Sequence, residues 1–261
     1  MSDANVFRVG VYVDGYNLYY GMRSHMGKST PGWRWLGIRK MIEPYAYEFQ
    51  ENAQTRVVYC TARVNPASSQ TAAQDQQFYL RALQISGSVD EIVYGHYVIR
   101  PKKEYLIERR VRHRIPELLE MTPERFAELI PDPQELPICP HNGLVRVDIR
   151  RIEEKGSDVN VATHLLQDMY EKRIGAAIVI TNDSDLSEPI RIARKLIPVG
   201  VLNPHNNYIS GSLKPRPEDN NVSGSWNRKL KVEDFIDNQM PPVVEGLLGD
   251  QNIQIRKPLD W

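Results

Sequence analysis

The segment AAIVITNDSD, residues 176–185, joins a short apolar run to a pair of acidic residues. An apolar run of this length that ends in a polar turn is typical of a strand buried on both faces of a parallel sheet. An earlier segment, FRVGVYVDG at residues 7–15, has the same design and reaches Asp14 where its apolar run ends. Because ligands of open α/β sheets bind outside the carboxyl ends of the strands, these acidic residues are predicted to share one edge.

Strand-like and helix-like segments alternate along most of the chain. Apolar runs predict further strands at residues 56–60, 91–98 and 197–202. Residues 144–150 alternate apolar and polar side chains, which predicts an edge or half-buried strand. Apolar residues at helical spacing predict helices at residues 39–49, 70–85, 159–170 and 186–196. This alternation predicts a three-layer α/β fold in which helices flank a mostly parallel sheet.

The less regular parts of the chain set the predicted domain limits. We expect one domain over residues 1–205, with a long irregular insert at about 101–143. Structureless stretches of that length are uncommon unless they are inserted or functional. Residues 206–261 are rich in Pro, Asn, Ser and Gly, and we expect them to form a C-terminal extension packed on the same domain.

Bulk composition excludes few classes of function or partner. The 33 basic and 33 acidic residues leave a formal net charge of zero, which neither supports nor excludes nucleic acid as a partner. The two cysteines, Cys60 and Cys139, lack the spacing of a zinc site or a disulfide framework. No apolar run is long enough for a bilayer, so we expect no membrane contact and a cytoplasmic location. Self-association into a homo-oligomer is left open.

A set of acidic residues carries the predicted chemistry. Taken one at a time, each residue of the set has an ordinary alternative role as a turn residue or a helix cap. Carboxylates gathered at one edge of a sheet would repel one another unless a cation neutralised them. Oxygen ligands of this kind suit Mg²⁺ or Mn²⁺. If the segments are neighbours in space, the pattern therefore favours a metal site made of Asp14, Asp158, Asp183 and Asp185.

Three segments of the chain also resemble a known family. VDGYNLYYG at residues 13–21, EKGSDVNVATHLLQD at 154–168 and IVITNDSDLSEPI at 178–190 are similar to the signature blocks of the NYN domain. This domain is a branch of the PIN-like nuclease superfamily. The resemblance extends over nearly the whole chain, including the closing QIRKPLDW at residues 254–261. It implies a Rossmann-like (PIN-like) sheet and a metal-dependent endoribonuclease that hydrolyses RNA, with the four aspartates as catalytic metal ligands.

The resemblance also implies roles for neighbouring residues. Asn17 would orient Asp14 or contact the substrate, and Ser184 would hold the tight turn between the last two aspartates. Thr181 would present its hydroxyl group at the strand end. Lys155 would pair with a carboxylate or meet the scissile phosphate.

Two further features bear on this expectation. Many relatives carry Asp where this chain has His164, six residues after Asp158, and this difference places a second metal ion in doubt. The basic run at residues 109–114, with Arg109 and Arg110, is either a patch that contacts phosphate or a solvated face.

These residues are compatible with three functions from different classes. The leading prediction is a metal-dependent ribonuclease. An alternative is a non-catalytic RNA-binding or regulatory module that keeps the fold and the acidic edge. A phosphotransferase with Asp14 as the nucleophile is disfavoured, because Tyr16 stands where that chemistry usually places a second carboxylate.

Overall fold

The structure is a computed structural model that describes residues 6–66, 69–106, 122, 124, 128, 144–216, 218–259 and 261. The chain divides into two compact units. The larger unit comprises Met1–His96 and Glu154–Trp261, and the smaller unit comprises Tyr97–Glu153. Residues 206–261 thus belong to the larger unit.

The described residues form a seven-stranded sheet and a separate two-stranded one. The strands are β1 Arg8–Asp14, β2 Gln54–Ala62, β3 Glu91–Tyr105, β4 Arg146–Lys155, β5 Ala176–Ile180, β6 Val199–Asn203, β7 Trp226–Lys229, β8 Val243–Leu248 and β9 Gln251–Arg256. The large sheet has the order β4-β3-β2-β1-β5-β6-β7, and β8 pairs with β9. The pairs β1–β2, β1–β5, β2–β3, β5–β6 and β6–β7 are all parallel.

Helices accompany the strands in the order that the sequence predicts. They are α1 Gly15–Met26, α2 Ile38–Ala46, α3 Gln70–Ile85, α4 Ser157–Tyr170, α5 Ser187–Arg194 and α6 Val232–Ile236. Short 3₁₀ turns lie at Ser184–Leu186 and Gly211–Leu213. The predicted α/β architecture, a mostly parallel sheet flanked by helices, is confirmed. Among the helices in the described ranges, none has the length and apolar character needed to cross a membrane.

Burial on both faces explains why the central strands are almost wholly apolar. On one face, side chains such as Leu18 of α1 and Ile42 of α2 pack in the same core as Val11 of β1. On the other face, Leu165 of α4 packs in a second core with Val179 of β5. The sheet is therefore covered by helices on both sides, which leaves its carboxyl edge as the place where polar residues gather.

The smaller unit has its own polar contacts. Arg151 Nη1 donates to Glu104 Oε1 at 3.1 Å, and the guanidinium of Arg146 lies 5.4 Å from the centre of the Tyr105 ring. The predicted phosphate patch at Arg109 and Arg110, and the rest of that basic run, lie outside the described residues.

A buried charge network ties the end of α4 to the sheet. Asp168 is 1% exposed, and its Oδ2 accepts hydrogen bonds from Tyr12 Oη at 2.9 Å and from Arg56 Nε at 3.0 Å. Its Oδ1 accepts another from Arg173 Nη1 at 3.1 Å. Burial and then the adjacent Asp168 charge raise the pKa of Tyr12, so this phenol stays a donor. By fixing the end of α4, the network also fixes the direction in which its first turn points.

The Tyr12→Phe variant tests how much this network contributes to the stability of the fold. It removes one donor to a buried carboxylate, and we expect a loss of about 1.5–3 kcal/mol in the free energy of unfolding. Urea unfolding with an unchanged slope measures that loss. The matched control is Tyr20→Phe, at a ring that is 52% exposed, which should change stability by less than about 0.5 kcal/mol. Equal effects of the two variants would contradict the assigned role.

Candidate acidic site at the carboxyl edge of the sheet

The parallel register brings the first and third signature segments together. Val13 of β1 pairs with Ile180 of β5, so the residues that follow these two strands meet at one edge. Asp14 is the last residue of β1, and Thr181 is the first residue after β5. Asp158 reaches the same edge from the first turn of α4.

Asp14 is held on both oxygens. Its Oδ1 accepts a hydrogen bond from the backbone N–H of Asn17 at 3.0 Å, so Asp14 caps α1. Its Oδ2 accepts a hydrogen bond from Thr181 Oγ1 at 3.2 Å. The side chain is 3% exposed and therefore has very little contact with solvent. The turn-and-cap alternative for Asp14 is thus realised, but within a buried polar cluster and not on an open surface.

Burial decides the protonation of Asp14. The pKa of its carboxyl group is raised from 3.8 to about 7, chiefly by loss of hydration and then by the charges of Asp158 and Asp183. The hydrogen bonds from Asn17 and Thr181 act in the opposite direction but are outweighed. A carboxyl group with such a pKa holds a proton for part of the time at neutral pH.

Asp158 is a second carboxyl group with a raised pKa. Burial raises its pKa to about 6, and the charges of Asp183, Glu154 and Asp185 contribute to the increase. The N-cap of α4 is Gly156, whose φ of 99° suits glycine and which has no side chain to cap the helix. The side chain that accepts from the first N–H of α4 is Glu154, not Asp158. The helix-cap alternative for Asp158 is therefore not formed, and its carboxylate faces the other acidic groups.

The turn after β5 is closed by its own side chains. Asp183 Oδ1 accepts a hydrogen bond from the backbone N–H of Asp185 at 2.9 Å. The backbone N–H of Asp183 donates to Thr181 Oγ1 at 3.1 Å. Ser184 lies exposed between the two aspartates. We predicted that Ser184 would hold this turn. The hydrogen bonds that close it involve the side chains of Asp183 and Thr181.

Asn17 joins three parts of the edge. Its Oδ1 accepts a hydrogen bond from the backbone N–H of Asn182 at 2.8 Å, and it lies 3.2 Å from His205 Nε2. Because an amide oxygen only accepts, the proton of this His205 contact sits on Nε2. Burial and then the neighbouring His25 lower the pKa of His205, which favours the neutral ring. The side chain of Asn17 thus contacts Asn182 and His205, whereas its backbone N–H holds Asp14, and a role for Asn17 toward substrate stays a prediction.

Sequence reasoning missed two residues of this edge. His205 shows no ligand spacing, and only its position just after β6, at the same edge, signals its place. Glu154 lies at the end of β4, and its Oε1 accepts from Ser157 Oγ at 2.8 Å and from Ser157 N at 3.2 Å. Its charge helps to raise the pKa of Asp158, although nothing in its sequence position separates it from other surface glutamates. The predicted Lys155 follows it and is exposed.

These carboxylates do not form a ready-made metal centre. In the part of the chain that the structure describes, no group of three or more His, Cys, Asp or Glu side chains is placed to hold one metal ion. Each oxygen of Asp14 already accepts one hydrogen bond, from the backbone N–H of Asn17 and from Thr181 Oγ1. The prediction of a four-ligand metal site is corrected accordingly for Asp14, Asp158, Asp183 and Asp185. Binding of Mg²⁺ or Mn²⁺ by a rearranged edge stays a prediction, as do RNA binding and self-association.

Comparisons with known proteins bear on the chemistry. No family model matches the chain. The chain is 23% identical, over 263 residues, to the 6-hydroxy-3-succinoylpyridine 3-monooxygenase HspA of Pseudomonas putida. This likeness covers 94% of the chain and 73% of that monooxygenase. A solved structure of a protein of unknown function from Vibrio parahaemolyticus is 12% identical, with a TM-score of 0.41 over 90% of this chain and 99% of that one.

The likeness to a monooxygenase overturns the predicted activity. A monooxygenase is an oxidoreductase, whereas the sequence analysis predicted a hydrolytic, metal-dependent ribonuclease. The ribonuclease prediction is therefore wrong. Its physical basis was the set of acidic residues, and clustered carboxylates suit proton transfer as well as metal-assisted hydrolysis.

The raised pKa of Asp14 predicts how stability changes with pH. The folded protein holds the Asp14 proton more tightly than the unfolded chain does. This stabilising contribution is fully present below about pH 4 and is lost as pH rises through about 7. Asp14→Asn keeps the shape of the side chain but cannot ionise. It should therefore abolish this fall in the free energy of unfolding, which is on the order of 4 kcal/mol for wild type over that range.

Urea unfolding of wild type and variant at about pH 4, 6 and 8 makes this comparison. The matched control is Asp250→Asn, at an exposed carboxylate in the turn between β8 and β9, and it should keep the wild-type pH dependence. If Asp14→Asn also keeps the wild-type pH dependence, then burial does not raise the pKa of Asp14.

Proposed function

We propose that this protein is an oxidoreductase of the monooxygenase class that works at the carboxyl edge of β1 and β5. The observation that carries the proposal is the likeness to HspA, which extends over 94% of the chain. The buried Asp14 adds a chemical reason for the location, because its pKa of about 7 suits acid–base chemistry at neutral pH.

The proposed reaction inserts one oxygen atom into an aromatic ring. Dioxygen is the oxidant, and a reduced nicotinamide nucleotide is the two-electron donor. One oxygen atom replaces a ring hydrogen as a hydroxyl group, while the other takes up two electrons and two protons and leaves as water. A bound two-electron donor of this kind would supply a hydride equivalent and solvent one proton, so that atoms and electrons balance.

The side chains of the edge would transfer protons to and from the bound ring. Ionised Asp14 accepts a proton from a ring hydroxyl group, which makes the ring richer in electrons and easier to oxidise. Protonated Asp14 returns that proton to the reduced oxygen. Asn17 and Thr181 keep the carboxyl group in place through the two hydrogen bonds on its oxygens. Asp158, with a pKa of about 6, is placed to pass protons toward solvent.

The proposed substrate class is a hydroxylated, nitrogen-containing aromatic ring. The name of HspA identifies 6-hydroxy-3-succinoylpyridine as the compound that enzyme oxidises. A ring hydroxyl group has the proton that the Asp14 mechanism requires. At 23% identity, we extend only this class of ring to the present chain.

We also propose that the sheet belongs to the Rossmann-like, PIN-like group and that the NYN resemblance reflects common descent. This idea is supported by the convergence of the three resembling segments at one edge, through Asp14, Asp158 and Asp183. It concerns fold and ancestry only, because a shared fold hosts unrelated chemistries.

Oxygen consumption tests the proposed function. Purified protein is mixed with a reduced nicotinamide nucleotide, dissolved oxygen and a panel of hydroxylated pyridines that includes 6-hydroxy-3-succinoylpyridine. We expect equal amounts of oxygen, nucleotide and ring to be consumed. No ring-dependent oxygen uptake with any member of the panel would refute the proposal.

The Asp14→Asn variant tests where the reaction occurs. Removal of a general acid–base group should lower kcat by roughly 10²–10⁴-fold while the ring still binds. The control Asp250→Asn changes an exposed carboxylate in the turn between β8 and β9 and should leave kcat unchanged. An active Asp14→Asn enzyme would place the chemistry elsewhere in the molecule.

A further inference from the structure

A concave surface lies along α3 and includes residues that directly follow β2. We call it the α3 groove, and its volume is about 490 Å³. Its walls include Arg63, Gln74, Gln77, Leu80, Arg81 and Tyr94. Sites for small molecules generally have volumes of about 300–1,000 Å³, so the α3 groove suits a small organic molecule better than a single ion.

The wall of the groove is built rigidly. Gln76 Oε1 accepts from the backbone N–H of Val64 at 2.7 Å, and its Nε2 donates to the carbonyl oxygen of Ala62 at 2.9 Å. These bonds pin α3 to the segment that follows β2. The same carbonyl of Ala62 accepts a bond from Tyr16 Oη at 2.8 Å, two residues after Asp14. Two hydrogen bonds to the carbonyl oxygen of Ala62 therefore link the α3 groove to the first turn of α1, which begins at the acidic edge.

The charge of the groove is opposite to that of the edge. Arg63 and Arg81 line it, and no Asp or Glu does so among the described residues. Neither guanidinium forms an ion pair within the described parts of the chain. An anionic ligand would therefore meet two cations and displace no carboxylate.

The groove also offers a flat surface. The guanidinium of Arg63 lies 4.5 Å from the centre of the Tyr94 ring, and that ring is 39% exposed. A guanidinium beside an aromatic ring is held by a cation–π contact, and its planar set of N–H donors suits a carboxylate. Leu80 lines the groove but is only 5% exposed, so it contributes a small apolar part of the floor. The amides of Gln74 and Gln77 add donors and acceptors.

We infer that the α3 groove binds a small aromatic carboxylate. The carboxylate is held by Arg63 and Arg81, and the ring lies against Tyr94 and Leu80. The inference comes from the lining of the groove alone and does not depend on the monooxygenase proposal. Binding is measured without oxygen or reductant, so failure of one proposal does not affect the test of the other.

Calorimetric titration with 4-hydroxybenzoate tests this inference, with neutral 4-hydroxybenzamide and inorganic phosphate as comparison ligands. We expect the carboxylate to bind at least about tenfold more tightly than the amide or phosphate. Arg63→Gln and Arg81→Gln should each weaken carboxylate binding by about tenfold and leave amide binding unchanged. The matched control is Arg8→Gln, at an exposed residue that begins β1 at the opposite edge, and its affinity should equal wild type.

Three results would overturn the inference. One is the absence of carboxylate binding at millimolar concentration by protein whose unfolding transition is normal. Another is equal affinity for the acid and the amide, or for the acid and phosphate. The last is a loss of affinity in Arg8→Gln as large as in the two groove variants. Because Arg63 and Arg81 are both exposed, their variants should fold normally.

Discussion

The parallel pairing of β1 with β5 is the constraint on which the candidate site depends. It sets Val13 opposite Ile180, and so places Asp14 where Thr181 can donate to it. A shift of one residue would turn the side chains of β1 to the opposite faces and remove Asp14 from this contact. The apolar faces of both strands are covered by helices, so such a shift would also expose core residues and is strongly disfavoured.

Burial and charge act together at this edge. Asp14 accepts two hydrogen bonds that favour the ionised form, yet loss of hydration outweighs them and raises its pKa to about 7. Asp158 is less buried, and the surrounding acidic residues contribute to its pKa of about 6. The edge is therefore a pair of carboxyl groups with pKa values near neutrality, one nearly buried and one partly open to solvent. Such a pair suits the transfer of protons between a bound molecule and water.

Two surfaces of opposite charge lie on neighbouring strands. The acidic edge follows β1 and β5, whereas the α3 groove begins just after β2, and the charged side chains among its described lining are Arg63 and Arg81. The strand order places β2 directly beside β1.

The sequence by itself determined the alternation of elements and the burial of the central strands. For α3 the predicted limits, residues 70–85, match those observed, because its apolar spacing is regular and local. It missed β7 to β9, which lie in the stretch rich in Pro, Asn, Ser and Gly. Of these strands, β7 has only four residues and pairs with β6, and β8 and β9 form an antiparallel hairpin. Only the tertiary structure decided that Asp14 is buried, that His205 reaches Asn17 and that Asp158 does not cap α4. Those outcomes depend on desolvation and contacts between distant segments, which local residue patterns do not encode.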